Sequence, residues 1–143
     1  MLFGKHKRKV KRILIVEDEP LTAFDNETTL TDAGYQVVGT IDSFDEAIAF
    51  LDREQVDLIL SDVQLRTEGT GIDLARAAKS KGIPTLFATG QPNPEAPSVA
   101  VGCLMKPYSE RQLKAAIEAV DRFLSGDKAK PPKGLELFDR TTD

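Results

Sequence analysis

The chain has 143 residues, of which 41% are hydrophobic and 29% are charged, and its formal net charge is −4. This length and composition are typical of one soluble globular domain and exclude a disordered or fibrous chain. Its single cysteine, Cys103, excludes an internal disulfide and a multi-cysteine metal site, and its short apolar runs exclude a membrane-spanning helix.

A basic arm opens the sequence. Residues 1–12 contain six Lys or Arg and no acidic residue. Such an arm could contact nucleic acid or a membrane surface, or could be a solvated tail that aids solubility. We favour the tail, because no aromatic residue interleaves the charges and the rest of the chain is acidic. The arm also lacks the apolar segment of a secretory signal, so we expect a cytoplasmic protein with neither membrane nor nucleic acid as a partner.

Short apolar runs alternate with helical patterns along the chain. Runs that are apolar over nearly their whole length are typical of parallel strands covered on both faces. The predicted strands are residues 13–17, 36–40, 57–61, 85–89 and 103–106. Five strands that alternate with helices favour right-handed crossovers and a doubly wound parallel α/β sheet.

Four helices have recognisable ends. The first begins with Pro20 in its opening turn and ends before Gly34. The other three follow residue pairs with the spacing of a capping box, in which two side chains satisfy backbone N–H groups at the helix start. These pairs are Ser43 with Glu46, Thr70 with Asp73, and Ser109 with Gln112.

The segment before the last strand and the end of the chain are less regular. Residues 91–97 contain three prolines, so any helix there is short and late, near residues 98–101. After Leu124 the chain turns polar, and residues 135–138 (LELF) could dock on a surface or be disordered. We therefore expect a basic arm (1–10), one α/β domain (11–125) and a flexible polar tail (126–143).

Ionic and hydroxyl groups follow the strands at their carboxyl ends. Glu17 and Asp18 end the first strand, Asp62 the third, Thr89 the fourth and Lys106 the fifth. Ligands of doubly wound sheets lie at this edge, so we expect these side chains to converge. Three carboxylates in one cleft repel one another unless a cation is bound, and their oxygen atoms suit Mg²⁺.

Two chemistries can be compared at this edge. A dinucleotide site needs a glycine-rich turn after the first strand, whereas the acidic turn here would repel a pyrophosphate. Metal-dependent phosphoryl transfer fits better, with a carboxylate nucleophile and a lysine that neutralises the transferring oxygens. Ordinary roles stay open: Asp62 could cap a loop, Glu17 and Asp18 could cap the first helix, and Lys106 could be a counter-ion.

These strand ends resemble the receiver domain of two-component response regulators. The matching features are the pair Glu17-Asp18, then Asp62, Thr89 and the pair Lys106-Pro107. The resemblance covers about residues 11–125 and implies a flavodoxin-like, CheY-like parallel sheet of five strands in the order 2-1-3-4-5. It also implies a phosphoacceptor switch that assists its own phosphorylation and dephosphorylation, and not a turnover enzyme.

The resemblance implies a role for each residue. Asp62 would accept a phosphoryl group from the phosphohistidine of a histidine kinase or a phosphotransfer protein. Asp18, Asp62 and the backbone carbonyl of Gln64 would bind Mg²⁺ directly, and Glu17 would act through water. Lys106 would pair with the phosphoryl oxygens.

The chain departs from the usual receiver pattern beside this lysine. Many receivers carry an aromatic residue three positions before the lysine, where Cys103 stands here, and Tyr108 lies in a different place. In receivers the hydroxyl that Thr89 would supply bonds the phosphoryl group, and the aromatic residue then turns inward. Because that aromatic residue is missing, we hypothesise that phosphorylation is read out by the ordering of residues 90–101.

The stretch PTLFATG (84–90) resembles the motif of a subgroup of single-domain alphaproteobacterial receivers nicknamed FAT GUY, although Gln91 and Pro92 replace the tyrosine expected after it. That subgroup is associated with stress-response phosphorelays, which implies a stand-alone switch acting through protein contacts. Two alternatives stay open. One is a phosphorylation-independent binding module with a receiver fold. The other is a metal-dependent phosphatase, disfavoured because Gln64 stands where a second acid would follow Asp62.

Overall fold

The computed structural model describes residues 8–65, 70–127 and 130–138. Its elements are β1 (Arg12–Val16), α1 (Pro20–Asp32), β2 (Gln36–Ile41), α2 (Phe44–Arg53), β3 (Leu58–Ser61), α3 (Gly71–Ser80), β4 (Thr85–Thr89), α4 (Ala96–Val99), β5 (Gly102–Met105), α5 (Glu110–Leu124) and β6 (Leu135–Leu137). The first five strands match the predicted strands to within one residue at each end.

The sheet confirms the expected class and the order of its first five strands. Across the described ranges the order is β2-β1-β3-β4-β5-β6, and neighbours among β1 to β5 are parallel. The prediction of five strands is wrong, because β6 adds a sixth that runs antiparallel to β5. This strand lies in the segment that we expected to be a flexible tail, and its first residue, Leu135, and the residue that follows it, Phe138, are buried.

The end of the basic arm also belongs to the folded structure. The backbone N–H groups of Lys9 and Val10 donate to Oδ1 of the buried Asp121 on α5, at 2.8 and 2.9 Å. The guanidinium of Arg8 lies over the ring of Tyr35, 4.2 Å from its centre. The arm predicted for residues 1–10 is therefore anchored from Arg8 onward, and residues 1–7 lie outside the described ranges.

The helix starts follow the local sequence. Thr70 with Asp73 and Ser109 with Gln112 form the predicted capping boxes. Ser43 also caps its helix, since its side chain accepts from the backbone N–H of residue 46. The short helix α4 begins two residues earlier than predicted, because a proline in the first turn of a helix loses no intrahelical hydrogen bond there.

The core lies on both faces of the sheet. In β1, Ile13 and Ile15 join the apolar cluster that α1 and α5 complete, whereas Leu14 and Val16 join the cluster of α2 and α3. Burying one such side chain contributes about 1.5–3 kcal/mol, so β1 is held firmly from both sides. This packing fixes the carboxyl end of the strand, from which the acidic residues emerge. No helix in the described ranges is long and apolar enough to cross a bilayer.

Candidate functional site

The carboxyl ends of β1 and β3 bring three carboxylates together. The strands are parallel neighbours with Val16 opposite Ser61, and the N–H of Asp62 donates to the carbonyl of Val16 at 3.1 Å. Glu17 and Asp18 therefore emerge beside Asp62. Oxygen atoms of these three acids all lie within 4.8 Å of one another.

Lys106 reaches this cluster from the end of β5. Its Nζ donates to Oε1 of Glu17 and to Oδ2 of Asp62, each at 3.1 Å. Burial of the ammonium group lowers its pKa, but the hydrogen bonds and negative charges of the two acids outweigh this effect and raise the pKa of Lys106 above its ordinary value. The lysine is therefore charged at neutral pH and partly neutralises the acids.

Both carboxylate oxygens of Glu17 accept hydrogen bonds from other residues of the protein. Its side chain is only 3% exposed, with Oε1 bonded to Lys106 and Oε2 accepting the backbone N–H of Glu19 at 3.1 Å. Glu19 in turn caps α1, because its Oε1 accepts the N–H groups of Leu21 and Thr22. Glu19 thus takes the capping role that could have explained the acid pair, and local pattern alone does not distinguish among three acids in a row.

Asp62 is held by its own loop but remains accessible. Its Oδ1 accepts the N–H of Gln64 at 3.1 Å, and its side chain is 17% exposed. The hydroxyl of Ser61 donates to the Asp62 carbonyl at 2.8 Å. Gly71, at the start of α3, lies so close that a Cβ there would overlap this carbonyl oxygen. Ser61 and Gly71 support the site without having been predicted, since only the folded loop shows their contacts.

Thr89 and Gln91 are bonded to each other beside the cluster. The buried Thr89 hydroxyl donates to the carbonyl of Gln91 at 3.1 Å and accepts the N–H of Gln91 at 3.2 Å. The backbone N–H of Lys106 donates to the carbonyl of Thr89 at 2.8 Å, which ties the ends of β4 and β5 together. The hydroxyl thus lies at the expected strand end, and its described bonds are to its own loop.

Cys103 and Tyr108 occupy different environments. Cys103 is buried in an apolar cluster that includes Phe87 and Phe138, and burial together with the charge of Glu136 raises the pKa of its thiol to about 11. The Tyr108 hydroxyl donates to the amide oxygen of Asn26 on α1 at 3.0 Å, a contact that the sequence did not indicate.

The acidic cluster fits a hard divalent cation. Each of its three residues offers an oxygen atom, which is the donor type that Mg²⁺ prefers. Asp18 and Asp62 are partly exposed, so a cation can reach them from solvent, whereas Glu17 is buried. The donor set and its access therefore fit Mg²⁺ at the sheet edge.

Comparison with known proteins gives a consistent family. Residues 13–118 match the family model of the response regulator receiver domain. The chain is 34% identical to the transcriptional regulatory protein PdtaR of Mycobacterium tuberculosis, over 88% of this chain and 67% of that protein. It is 32% identical to the phyllosphere-induced regulator PhyR of Methylorubrum extorquens, over 73% of this chain and 41% of that protein.

Solved structures show the same fold. The response regulator PhyR from Brucella abortus superposes with a TM-score of 0.70 at 29% identity, over 84% of this chain and 51% of that chain. The chemotaxis response regulator CheY4 of Vibrio cholerae gives 0.70 at 30% identity, over 78% of this chain and 99% of that chain. The chain thus spans nearly all of the latter protein and about half of the former.

Proposed function

The chain belongs to the family of response regulator receiver domains, and we propose that it is the phosphoryl-accepting switch of a two-component phosphorelay, with Asp62 as the acceptor. Receiver domains are phosphoacceptor switches. One observation supports this role of Asp62 above all: its carboxylate is partly exposed and lies 3.1 Å from the ammonium group of Lys106, within a cluster of three acids.

The chemistry follows from this arrangement. A carboxylate oxygen of Asp62 forms a bond to phosphorus as the P–N bond of a phosphohistidine breaks, and the imidazole leaves with the bonding electron pair. Lys106, already beside Asp62, then pairs with oxygens of the transferred group. Positioning and electrostatic stabilisation by fixed charges supply most of the catalysis in such transfers, so the chain needs no covalent step beyond the attack itself.

Thr89 has to change partners in this scheme. In the unphosphorylated protein its hydroxyl donates to the Gln91 carbonyl and accepts the Gln91 N–H. To donate to a phosphoryl oxygen, the hydroxyl must give up its bond to the Gln91 carbonyl. The start of the 90–101 segment would then rearrange. This supports the hypothesis that the segment reads out phosphorylation.

The acidic cluster would hold Mg²⁺ through Asp18, Asp62 and the backbone carbonyl of Gln64. Bound there, the ion supplies positive charge that offsets the repulsion among the acids and the phosphoryl oxygens. Glu17 would act indirectly, through water, because both of its oxygens are already bonded to Lys106 and to the Glu19 backbone.

The partners follow from the family. A histidine kinase or a histidine phosphotransfer protein supplies the phosphoryl group, and a downstream protein senses it through contacts, in the cytoplasm. One similarity supports a role in a stress response: the related PhyR of Methylorubrum extorquens is a phyllosphere-induced regulator.

Intact-mass spectrometry after incubation with acetyl phosphate tests this function. We expect a Mg²⁺-dependent phosphoryl adduct on the wild type and on Asp32→Asn, which removes an exposed carboxylate at the end of α1, toward the opposite edge of the sheet, but not on Asp62→Asn. An adduct of equal yield on Asp62→Asn would contradict the assignment. So would the absence of any adduct on the wild type when both acetyl phosphate and a phosphorylated phosphotransfer protein are supplied. That last result would favour the phosphorylation-independent binding module.

A further inference from the structure

Residues 134–138, here named the strap, cover the free edge of β5. The strap includes β6, which pairs antiparallel with β5 so that Glu136 lies opposite Cys103. Two flanking backbone hydrogen bonds extend the pairing: Met105 N–H to the Gly134 carbonyl and Phe138 N–H to the Val101 carbonyl, each at 2.9 Å. The strap therefore pairs with the backbone hydrogen-bonding groups along the whole free edge of β5.

Side chains of the strap are buried on both faces of the sheet. Leu135 joins the cluster beneath α5, and Phe138 joins the cluster formed by Ala96, Val99 and Cys103. The buried glycine of β5, residue 102, fits this approach. A Cβ there would lie 2.6 Å from the Glu136 carbonyl oxygen, so any larger residue would push the strap away. The edge of β5 is thus shaped to receive an extended segment.

The strap contacts the neighbours of both groups that would change partners on phosphorylation, Lys106 and Thr89. One end is bonded to Met105, the residue before Lys106, whose ammonium group would pair with the phosphoryl oxygens. The other end packs on α4, which closes the segment that begins after Thr89. A shift of Lys106 and a rearrangement after Thr89 would therefore disturb the strap at both ends.

We propose that phosphorylation of Asp62 releases the strap, and that the uncovered edge of β5 binds the downstream partner as an added antiparallel strand. This inference rests on the proposed function. The patch exposed beside the edge is apolar and consists of Ala96, Val99 and Cys103, so the partner is an extended peptide segment with apolar side chains. Strap and partner compete for one edge, in the way that extended peptides add to exposed sheet edges in other domains. By linkage, removing the strap also favours phosphorylation.

Cys103 reports on the strap directly, because it is the only cysteine in the chain and lies beneath Phe138. The docked strap keeps the thiol buried and its pKa at about 11, against an ordinary value of 9.0. Full return to the ordinary value would increase the reactive thiolate about a hundredfold at neutral pH. A maleimide should thus label Cys103 slowly in the unphosphorylated protein and at least about tenfold faster once the strap is released.

The experiment treats the full chain with acetyl phosphate, Mg²⁺ and a maleimide, and reads both adducts in one intact-mass spectrum. We expect the maleimide to accumulate faster on phosphorylated molecules than on Asp62→Asn treated in the same way. A wild type that carries the phosphoryl group but is labelled as slowly as Asp62→Asn overturns the strap inference and leaves the proposed function intact. A wild type with no phosphoryl adduct from any donor refutes the proposed function and, with it, this inference.

Two further experiments test the strap and the edge separately. Phe138→Ala should be labelled fast without phosphorylation, whereas Phe24→Ala, which removes a ring that is 66% exposed on α1, should be labelled as slowly as the wild type. Slow labelling of Phe138→Ala overturns the inference. A fluorescent peptide with the sequence of residues 130–138 (KPPKGLELF) should bind Phe138→Ala, whose own strap lacks the buried ring, and not the wild type, in which the tethered strap occupies the edge. Absence of binding to Phe138→Ala contradicts an edge that accepts an added strand.

Discussion

Replacing Lys106 by Met tests whether this lysine stabilises the acidic cluster in the resting state. The Met side chain keeps the apolar stem and removes the charge, so that Glu17 remains buried with only one of its two partners. The acids that lie within 4.8 Å of one another then repel without a counter-ion. We expect the free energy of unfolding to fall in the absence of Mg²⁺.

The expected loss of unfolding free energy follows from the two contacts of Lys106. Each contact at 3.1 Å corresponds to an attraction of about 5 kcal/mol at an effective dielectric constant of about 20. Desolvation of the charges offsets much of this attraction, and breaking a buried pair costs about 3–5 kcal/mol. Because the lysine side chain is 25% exposed, solvent screens part of the interaction. We therefore expect Lys106→Met to cost about 2–4 kcal/mol.

Urea unfolding at pH 7 without Mg²⁺ measures this cost by linear extrapolation. The matched background is Glu17→Gln, in which the buried acid is neutral and no longer needs the lysine. In the Glu17→Gln background we expect Lys106→Met to cost at least about 1 kcal/mol less than in the wild type. This difference is the coupling free energy between Lys106 and Glu17, and its size is typical of residues in contact. A cost below about 0.5 kcal/mol in the wild type, or an equal cost in both backgrounds, would show that Lys106 does not stabilise the acidic cluster.

Three further predictions concern neighbouring contacts. Gly71→Ala should lower the free energy of unfolding in urea by about 1–3 kcal/mol, because a Cβ there overlaps the backbone at the end of β3. The control Gly90→Ala places its Cβ in open space and should change the free energy of unfolding by less than about 0.5 kcal/mol. Equal effects of the two substitutions would contradict a close contact at Gly71. Tyr108→Phe removes the hydrogen bond to Asn26 and should cost about 0.5–1.5 kcal/mol in the same assay; an unchanged midpoint would show that the bond contributes nothing. Folding raises the pKa of Lys106 above its ordinary value of 10.5. The charged lysine therefore stabilises the fold fully below pH 10.5, and this stabilisation is lost as the pH rises through the folded-state pKa. In urea titrations, the difference in unfolding free energy between the wild type and Lys106→Met should shrink at alkaline pH and not near neutral pH.

The apolar runs were sufficient to locate the first five strands. Strands buried on both faces are apolar throughout, and β1 shows this pattern, with alternate residues in opposite clusters. The rule that ligands lie at the carboxyl ends of the strands then led to Glu17, Asp18, Asp62 and Lys106, which the structure brings together. The strand order came from the resemblance to receivers, since periodicity alone does not fix it.

The contacts that sequence reasoning missed depend on residues far apart in the chain. The segment LELF has an apolar pattern too short to distinguish a docked strand from a disordered tail. Its docking depends on Gly102, which lets the Glu136 backbone approach β5. Likewise, Lys9 and Val10 are anchored by Asp121, more than 100 residues away. Local propensity carries no information about such partners.

Identifying the phosphorylated residue tests most directly whether Asp62 is the phosphoryl acceptor. The wild type is phosphorylated with acetyl phosphate and Mg²⁺, reduced with borohydride so that an aspartyl phosphate becomes homoserine, digested, and analysed by tandem mass spectrometry. We predict homoserine at position 62 alone, dependent on Mg²⁺ and on acetyl phosphate. Homoserine at position 18 or elsewhere, or a phosphoryl group on a Ser, Thr or His side chain, would contradict the assignment of Asp62 as the acceptor.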